Sequence, residues 1–151
     1  MRMKTLVMAI ALLAIMAPAL GAAAETPQQE AKALVEAAAA FMKASGKEAT
    51  LAECNKAGGQ FDKGDLYVFA YDLTATIVAH PKNPKLVGKN LMEVPDTDGK
   101  LFRKEIVETA KASGFGWVDY KYLNPESKKV EAKTTYLQKV GDIVLCCGTY
   151  K

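Results

Sequence analysis

The chain has 151 residues, half of them hydrophobic and a quarter charged, which is the composition of one globular domain and not of a disordered or fibrous chain. Lys plus Arg number 20 against 17 Asp plus Glu, and with Arg2 and Lys4 set aside as part of an export segment the balance is 18 to 17, which excludes a strongly basic nucleic-acid binder. His80 is the single histidine, and this argues against most histidine-ligated metal sites and Ser-His-Asp schemes.

In chain order, Arg2 and Lys4 make a positive start, residues 5–20 carry no charge, and Ala22, Ala23 and Ala24 supply the small residues that signal peptidase needs. Cleavage is expected after Ala24, giving an exported, soluble protein that in a bacterium is periplasmic. The competing reading is a retained anchor, because about 20 uncharged residues are enough to cross a bilayer; Pro18, Gly21 and the alanine run favour cleavage. Membrane contact is expected only if the segment stays. No Cys lies near the cut, so no lipoprotein acylation site is expected.

Residues 25–151 then form one domain. Thr26, Pro27 and Gln29 read as an N-cap, a proline at the first helical position and a capping-box partner. Ala31, Leu34, Val35, Ala38, Phe41 and Met42 recur at helical spacing, and Gly46 is placed to end that helix. A shorter helix is predicted over 48–56, stopped by Gly58 and Gly59. Residues 66–71 are aromatic and β-branched at strand length, 72–75 read as a turn, and 76–80 as the returning strand. Residues 81–99 hold prolines, glycines and asparagines without periodicity and predict a long loop of the kind that often binds ligands. Helical spacing returns over 99–113 through Phe102, Ile106, Val107 and Ala110, ended by Gly114. Strands follow over 116–123, 130–140 and 143–150, joined by turns at 124–127 and at Gly141-Asp142. This order predicts an α+β domain: a five-stranded antiparallel sheet, a long N-terminal helix, and a pocket between the sheet and the helical loop insert.

The runs LYVFAYDLTATIVAHPKNPKLVGKNL and DTDGKLFRKEIVETAKASGFGWVDYKYLNPESKKVEAKTTYLQKV, with the closing CGTY, resemble the single Cache domain of bacterial extracytoplasmic sensors over residues 64–150. The resemblance implies a PAS-like sheet with a small-molecule pocket on its face and a small organic anion as ligand. Thr74 and Ala75 stand where such domains usually have a Gly. Domains of this kind usually feed a kinase, cyclase or chemotaxis module; none is legible in these 151 residues, so the expected output is a changed surface presented to a membrane receptor or transport partner.

Within that frame Lys133, in a strand between Ala132 and Thr134, is the candidate for holding a carboxylate by a charge-assisted hydrogen bond. The bland alternative is one more solvated lysine, and the match to the family's Lys-x-x-Tyr, completed by Tyr136, favours the functional reading. His80, in the His-Pro that the family places at the pocket lip, is read either as a donor that changes charge near neutral pH or as a packed histidine with a backbone partner. Trp117 and Tyr120 offer an indole N–H and a hydroxyl, or serve as core. Alternation puts Trp117 and Tyr120 on opposite faces, and Lys133 and Tyr136 likewise, so one of each pair is structural unless a bulge intervenes. Phe69 and Tyr71 share a face and floor the pocket or simply pack the sheet.

Asp96, Asp98 and Gly99 lack the further ligands of a calcium loop and read as a capped helix start; Gly114 and Gly116 form no phosphate loop. In an oxidising compartment Cys54 is expected to pair with Cys146 or Cys147, only one of which can face it; the alternative is three thiols. There is no Cys-x-x-Cys, and neither a cofactor nor a metal is expected. No nucleophile–base pair stands out, so an enzyme ranks last, behind a carboxylate-binding sensor and an envelope interaction module that kept the fold and lost the pocket.

Overall fold

In the computed structural model, which describes residues 23–151, the chain enters helix α1 (Pro27–Ser45) through the expected capping box. Thr26 Oγ1 accepts from the Gln29 N–H at 3.2 Å, and Gln29 Oε1 accepts from the Thr26 N–H at 2.8 Å. The segment expected to direct export lies, as far as residue 22, outside the described residues. Ala31, Val35, Ala38, Ala39 and Met42 form the buried stripe of α1, and Gly46 ends it at φ 90°, a conformation that costs a residue with a Cβ.

Helix α2 (Lys47–Cys54) follows, then β1 (Asp62–Lys63), β2 (Leu66–Asp72), β3 (Ile77–Ala79), α3 (Phe102–Ser113), β4 (Phe115–Leu123), β5 (Val130–Val140) and β6 (Ile143–Tyr150). The sheet is antiparallel in the order β1-β2-β6-β5-β4, with β3 paired to β2. The two-residue β1 adds one strand to the five expected. It is too short to carry a hydrophobic alternation, and only pairing with Leu66 and Tyr67 defines it.

The β2–β3 turn manages without the glycine. Ala75 takes φ 62°, a left-handed conformation that an L-residue adopts at a penalty of about 1–2 kcal/mol. Asp72 Oδ1 offsets it by accepting from the N–H of Thr74 at 2.8 Å, the hydroxyl of Thr74 at 2.7 Å and the N–H of Thr76 at 3.0 Å. The long loop after β3 is less irregular than its composition implied. It makes a 3-10 turn at Pro84–Leu86, and its next residues run beside β3, Ile77 N donating to Lys89 O at 3.0 Å and Gly88 N to Ile77 O at 2.7 Å.

Helix α3 begins at Phe102 without a side-chain cap, later than expected. Asp96 is occupied elsewhere: its carboxylate accepts the N–H groups of Asp98, Lys100 and Lys121. Three N–H donors turn it into a staple that fixes the loop to the outer edge of β4, and hold its carboxyl below the usual carboxylate range against the opposing effect of desolvation. Gly114, at φ 81°, closes α3 in the left-handed cap.

The sheet divides two cores. Helix α1 lies over β2, β6 and β5, and α3 lies over β4 and β5 on the other face. Alternation in β6 sends Ile143, Leu145 and Cys147 toward α1 and Val144 and Cys146 toward α3. The expected disulfide does not form: Cys54, Cys146 and Cys147 are buried free thiols. Cys146 faces the wrong side. Cys147 shares the α1 core with Cys54, but α2 packs on α1, β2 and β3 while Cys147 sits mid-sheet between Val68 and Tyr136. Burial pushes the Cys54 and Cys147 thiols up to about 12. Among the described residues no helix is long and apolar enough to cross a membrane.

Candidate functional site

The register between β4 and β5 runs without interruption from Phe115↔Gln138 to Leu123↔Val130, and this settles which member of each candidate pair faces α3. Lys133 pairs with Tyr120 and lies on the α3 face. Trp117 pairs with Tyr136 and both lie on the α1 face. Tyr136 packs into the α1 core beneath the Lys32 ammonium, 5.9 Å from its ring, and Trp117 is 41% exposed at the sheet edge. With no bulge to turn them, Trp117 and Tyr136 lie on the face of the sheet away from Lys133.

Lys133 is 1% exposed. Its Nζ donates to the Tyr67 hydroxyl at 3.2 Å and lies 4.9 Å from the ring centroid of Tyr67, 5.2 Å from Phe69, 5.0 Å from Tyr122 and 4.9 Å from Tyr150. Four π faces partly replace the lost hydration of the ammonium. They do not replace it fully, and burial lowers the Lys133 pKa to about 8. Gly148 makes room for this arrangement, because a Cβ there would overlap Lys133 Cε and Thr135 Oγ1.

His80 is 4% exposed. Its Nδ1 accepts from the Asn83 N–H at 3.0 Å, which leaves the ring proton on Nε2. The ring stacks on Phe69 at 5.7 Å and tilts against Tyr67 at 5.4 Å. Burial, reinforced by the nearby Lys133 and Arg103 charges, lowers its pKa to about 4. Burial first, and the Lys133 and Arg103 charges second, therefore favour the neutral ring, whose Nε2–H is left free to donate.

Phe69 and Tyr71 lie on the α3 face as expected, both 3% exposed. Tyr120 shares that face, but its hydroxyl is hydrogen-bonded to Thr135 Oγ1 at 2.8 Å and its ring stacks on Phe102 at 4.0 Å. Tyr120 thus supports the site floor.

Four contributors escaped the sequence reading. Tyr67 sits two residues before Phe69 and Tyr122 two after Tyr120, so extending the alternation finds both; Tyr150 closes β6. Arg103 is the fourth, and its signal is rarity: it is the only arginine after Arg2, among many lysines. It projects from the first turn of α3 toward the sheet, 6% exposed, and lies beside Tyr71 and Tyr122, whose hydroxyl pKa values burial raises and the guanidinium partly restrains.

The ion pairs among the described residues use Lys32, Lys47, Lys56, Lys82, Lys100 and Lys151, so Lys133 and Arg103 are two buried cations without an acidic partner there. Three clefts reach this region: one of about 210 Å³ touching Tyr120 and Lys133, one of about 180 Å³ touching His80 and Tyr122, and one of about 220 Å³ touching Arg103 and Tyr122. Spaces of this size are below those that hold drug-sized ligands. No group of three or more His, Cys, Asp or Glu among the described residues is arranged to hold a metal.

Methyl-accepting chemotaxis protein McpP of Pseudomonas putida is 34% identical over 79 residues, which are 52% of this chain and 14% of that receptor. The chain thus matches a small part of the receptor's length. Among solved structures, a periplasmic sensor domain of a chemotaxis protein superposes with a TM-score of 0.65 at 29% identity, covering 80% of this chain and 88% of that one. A structure described as the basis for carboxylic acid recognition by a Cache chemosensory domain gives 0.64 at 26% identity, covering 81% and 86%. The Single Cache domain 2 family matches residues 2–150, and with these sensor domains as structural neighbours the chain belongs to that family.

Proposed function

We propose that this domain binds a small organic carboxylate outside the cytosol, with Lys133 as its principal charge partner. One observation carries the reading: Lys133 and Arg103 are buried on the same sheet face, among aromatic rings and hydroxyls, with no acidic partner among the described residues. A buried charge without a counter-ion is costly, and a bound anion removes that cost. The His80 Nε2–H and the Tyr67 hydroxyl supply neutral donors beside the ammonium, and Phe69, Tyr71 and Tyr122 exclude water, which strengthens each of these bonds. The solved Cache domain described as recognising carboxylic acids supports the same ligand class.

Occupancy would be passed on by the segment 81–113, which contributes His80's neighbours and Arg103 and is fixed to the β4 edge through Asp96. A membrane receptor or transporter is the partner this reading calls for, and export with removal of residues 1–24 is its route. The proposal is one of binding, with no reaction. An interaction module with a filled pocket is favoured by a single feature, the four rings already packed within 5.2 Å of Nζ.

Thermal unfolding against a panel of short organic acids separates the two. The carboxylate site predicts a midpoint that climbs with acid concentration, as mass action requires of a ligand that binds only the folded state. Lys133→Met and Gly148→Ala, the second by displacing the Lys133 side chain, should both abolish the climb. A midpoint indifferent to every acid, or a response that survives in Lys133→Met, leaves the interaction module standing.

A further inference from the structure

We propose that the outer edge of β4 at residues 115–118 is a docking surface for a second copy of this chain, joined by antiparallel strand pairing across a two-fold axis at Gly116.

The backbone of β4, the last strand of the sheet, makes this edge available. Lys139 N donates to Gly114 O at 2.7 Å, so Gly114 turns toward β5, and alternation along the uninterrupted register turns Gly116, Val118 and Tyr120 the same way. Phe115, Trp117, Asp119 and Lys121 therefore direct their N–H and C=O groups outward. The far half of this edge is covered by the loop before α3: the Lys121 N–H is taken by Asp96 Oδ2 at 2.9 Å, and Asp119 O accepts from Lys100 Nζ at 2.6 Å. The near half is bare. The backbone groups of Phe115 and Trp117 have no backbone partner among the described residues.

Sheet edges left open are normally guarded by charge or proline. Here neither occurs between Lys111 and Asp119, and the two residues with open backbone groups are aromatic, Phe115 at 61% and Trp117 at 41% exposure. Both lie on the α1 face at its uncovered margin, since α1 packs chiefly on β5, β6 and β2. Trp117 keeps one flank against the Tyr136 ring, 5.3 Å away.

A second copy fits because this edge is its own complement. Outward groups must meet outward groups, and the antiparallel register that achieves this within the bare half sets Phe115 of each copy opposite Trp117 of the other. Each Phe–Trp pair then exchanges both backbone hydrogen bonds and brings its rings together on one face. Gly116 meets Gly116 at the axis, and no charge is buried. Aromatic side chains bury about 150–250 Å² each, so exposures of 61% and 41% leave about 150–250 Å² of side chain per copy to be covered. The pair together falls well short of the roughly 1,200 Å² of a stable complex. The dimer is therefore weak, with half-association at about 50–500 μM.

Sedimentation velocity of the purified protein from about 5 μM to about 1 mM tests this. The average sedimentation coefficient should rise across that range, and the emission of Trp117, the single tryptophan, should shift to the blue in step. Phe115→Lys and Trp117→Glu should each weaken association at least about tenfold. Mixing the two variants should restore it, because one Phe–Trp pair is kept and the other becomes a Lys–Glu pair. Phe115, the more exposed, decides alone if the Trp117 variant does not fold. A protein monomeric throughout, an association that survives Phe115→Lys, or a mixture no better than either folded variant alone overturns the proposal.

Discussion

The two faces of the sheet are built by the same strands under the same alternation, and they differ in what they bury beside their apolar cores. Toward α1 the strands and helix present Val35, Ala38, Val68, Ala70, Leu145 and Cys147, all fully buried and apolar. Toward α3 a buried apolar set that includes Phe69, Ile77, Phe102, Ile106, Leu137 and Val144 is interleaved with Tyr67, Tyr71, Tyr120, His80, Lys133 and Arg103, buried to nearly the same degree. Burial of the first kind stabilises in proportion to apolar area; burial of the second kind desolvates charges and gains only where each is paired. The α1 face is therefore the more uniformly apolar of the two, and the α3 face adds to its own apolar core two buried cations without an acidic partner among the described residues.

That division breaks most visibly at Leu145, fully buried under α1. Leu145→Ala should lower the unfolding free energy by about 2–5 kcal/mol, read from urea titration, with acid binding by the folded fraction unchanged. An equal loss from Leu137→Ala, at a leucine as fully buried on the α3 face, would show that stability is shared evenly between the faces.

At Lys133 the sign reverses. Its pKa is lowered to about 8 from an ordinary 10.5, so folding disfavours its charged form. Below about pH 8 the ammonium is charged in both states and the penalty is fully present. Between about 8 and 10.5 the unfolded chain binds a proton that the folded one has released, so stability attributable to this group rises with pH. Lys133→Met should accordingly raise the unfolding free energy at pH 7 by about 1–3 kcal/mol, and its advantage over the unaltered protein should vanish as pH approaches 10.5. Buried thiols and tyrosines, whose pKa values are raised, act in the opposite direction in both proteins. The difference between the two stability curves is thus the quantity to measure. A Lys133→Met protein less stable at every pH would mean that the ammonium is already neutralised in the fold.

The smallest expected effect sharpens the comparison from the helix side. Thr26→Ala removes one arm of the α1 capping box and should cost about 1 kcal/mol, seen as a lower thermal midpoint with an unaltered response to acids.

The elements most legible in the sequence were those whose signals are local. The Thr26-Pro27-Gln29 start, the Gly114 stop and strands 130–140 and 143–150 stand where periodicity and punctuation put them. Short elements such as β1 were invisible, since pairing alone defines them. The site was half legible. Lys133 and His80 were marked by position and by family resemblance, whereas Tyr136 and Trp117 were drawn in by the same motifs and belong to the other face. Arg103 was missed because it interrupts nothing in the helical pattern of α3.

What the sequence determined by itself was the order and kind of the elements, and the alternation that forces Lys133 and Tyr136 apart, because backbone periodicity and helix caps are decided within a few residues. Only the tertiary structure decided that Lys133 meets Tyr67, Phe69, Tyr122 and Tyr150, that Arg103 comes down on the same face, and that Cys54 and Cys147 share a core without bonding. These groups lie far apart along the chain, and the register of antiparallel strands together with the docking of α3 brings them to one place.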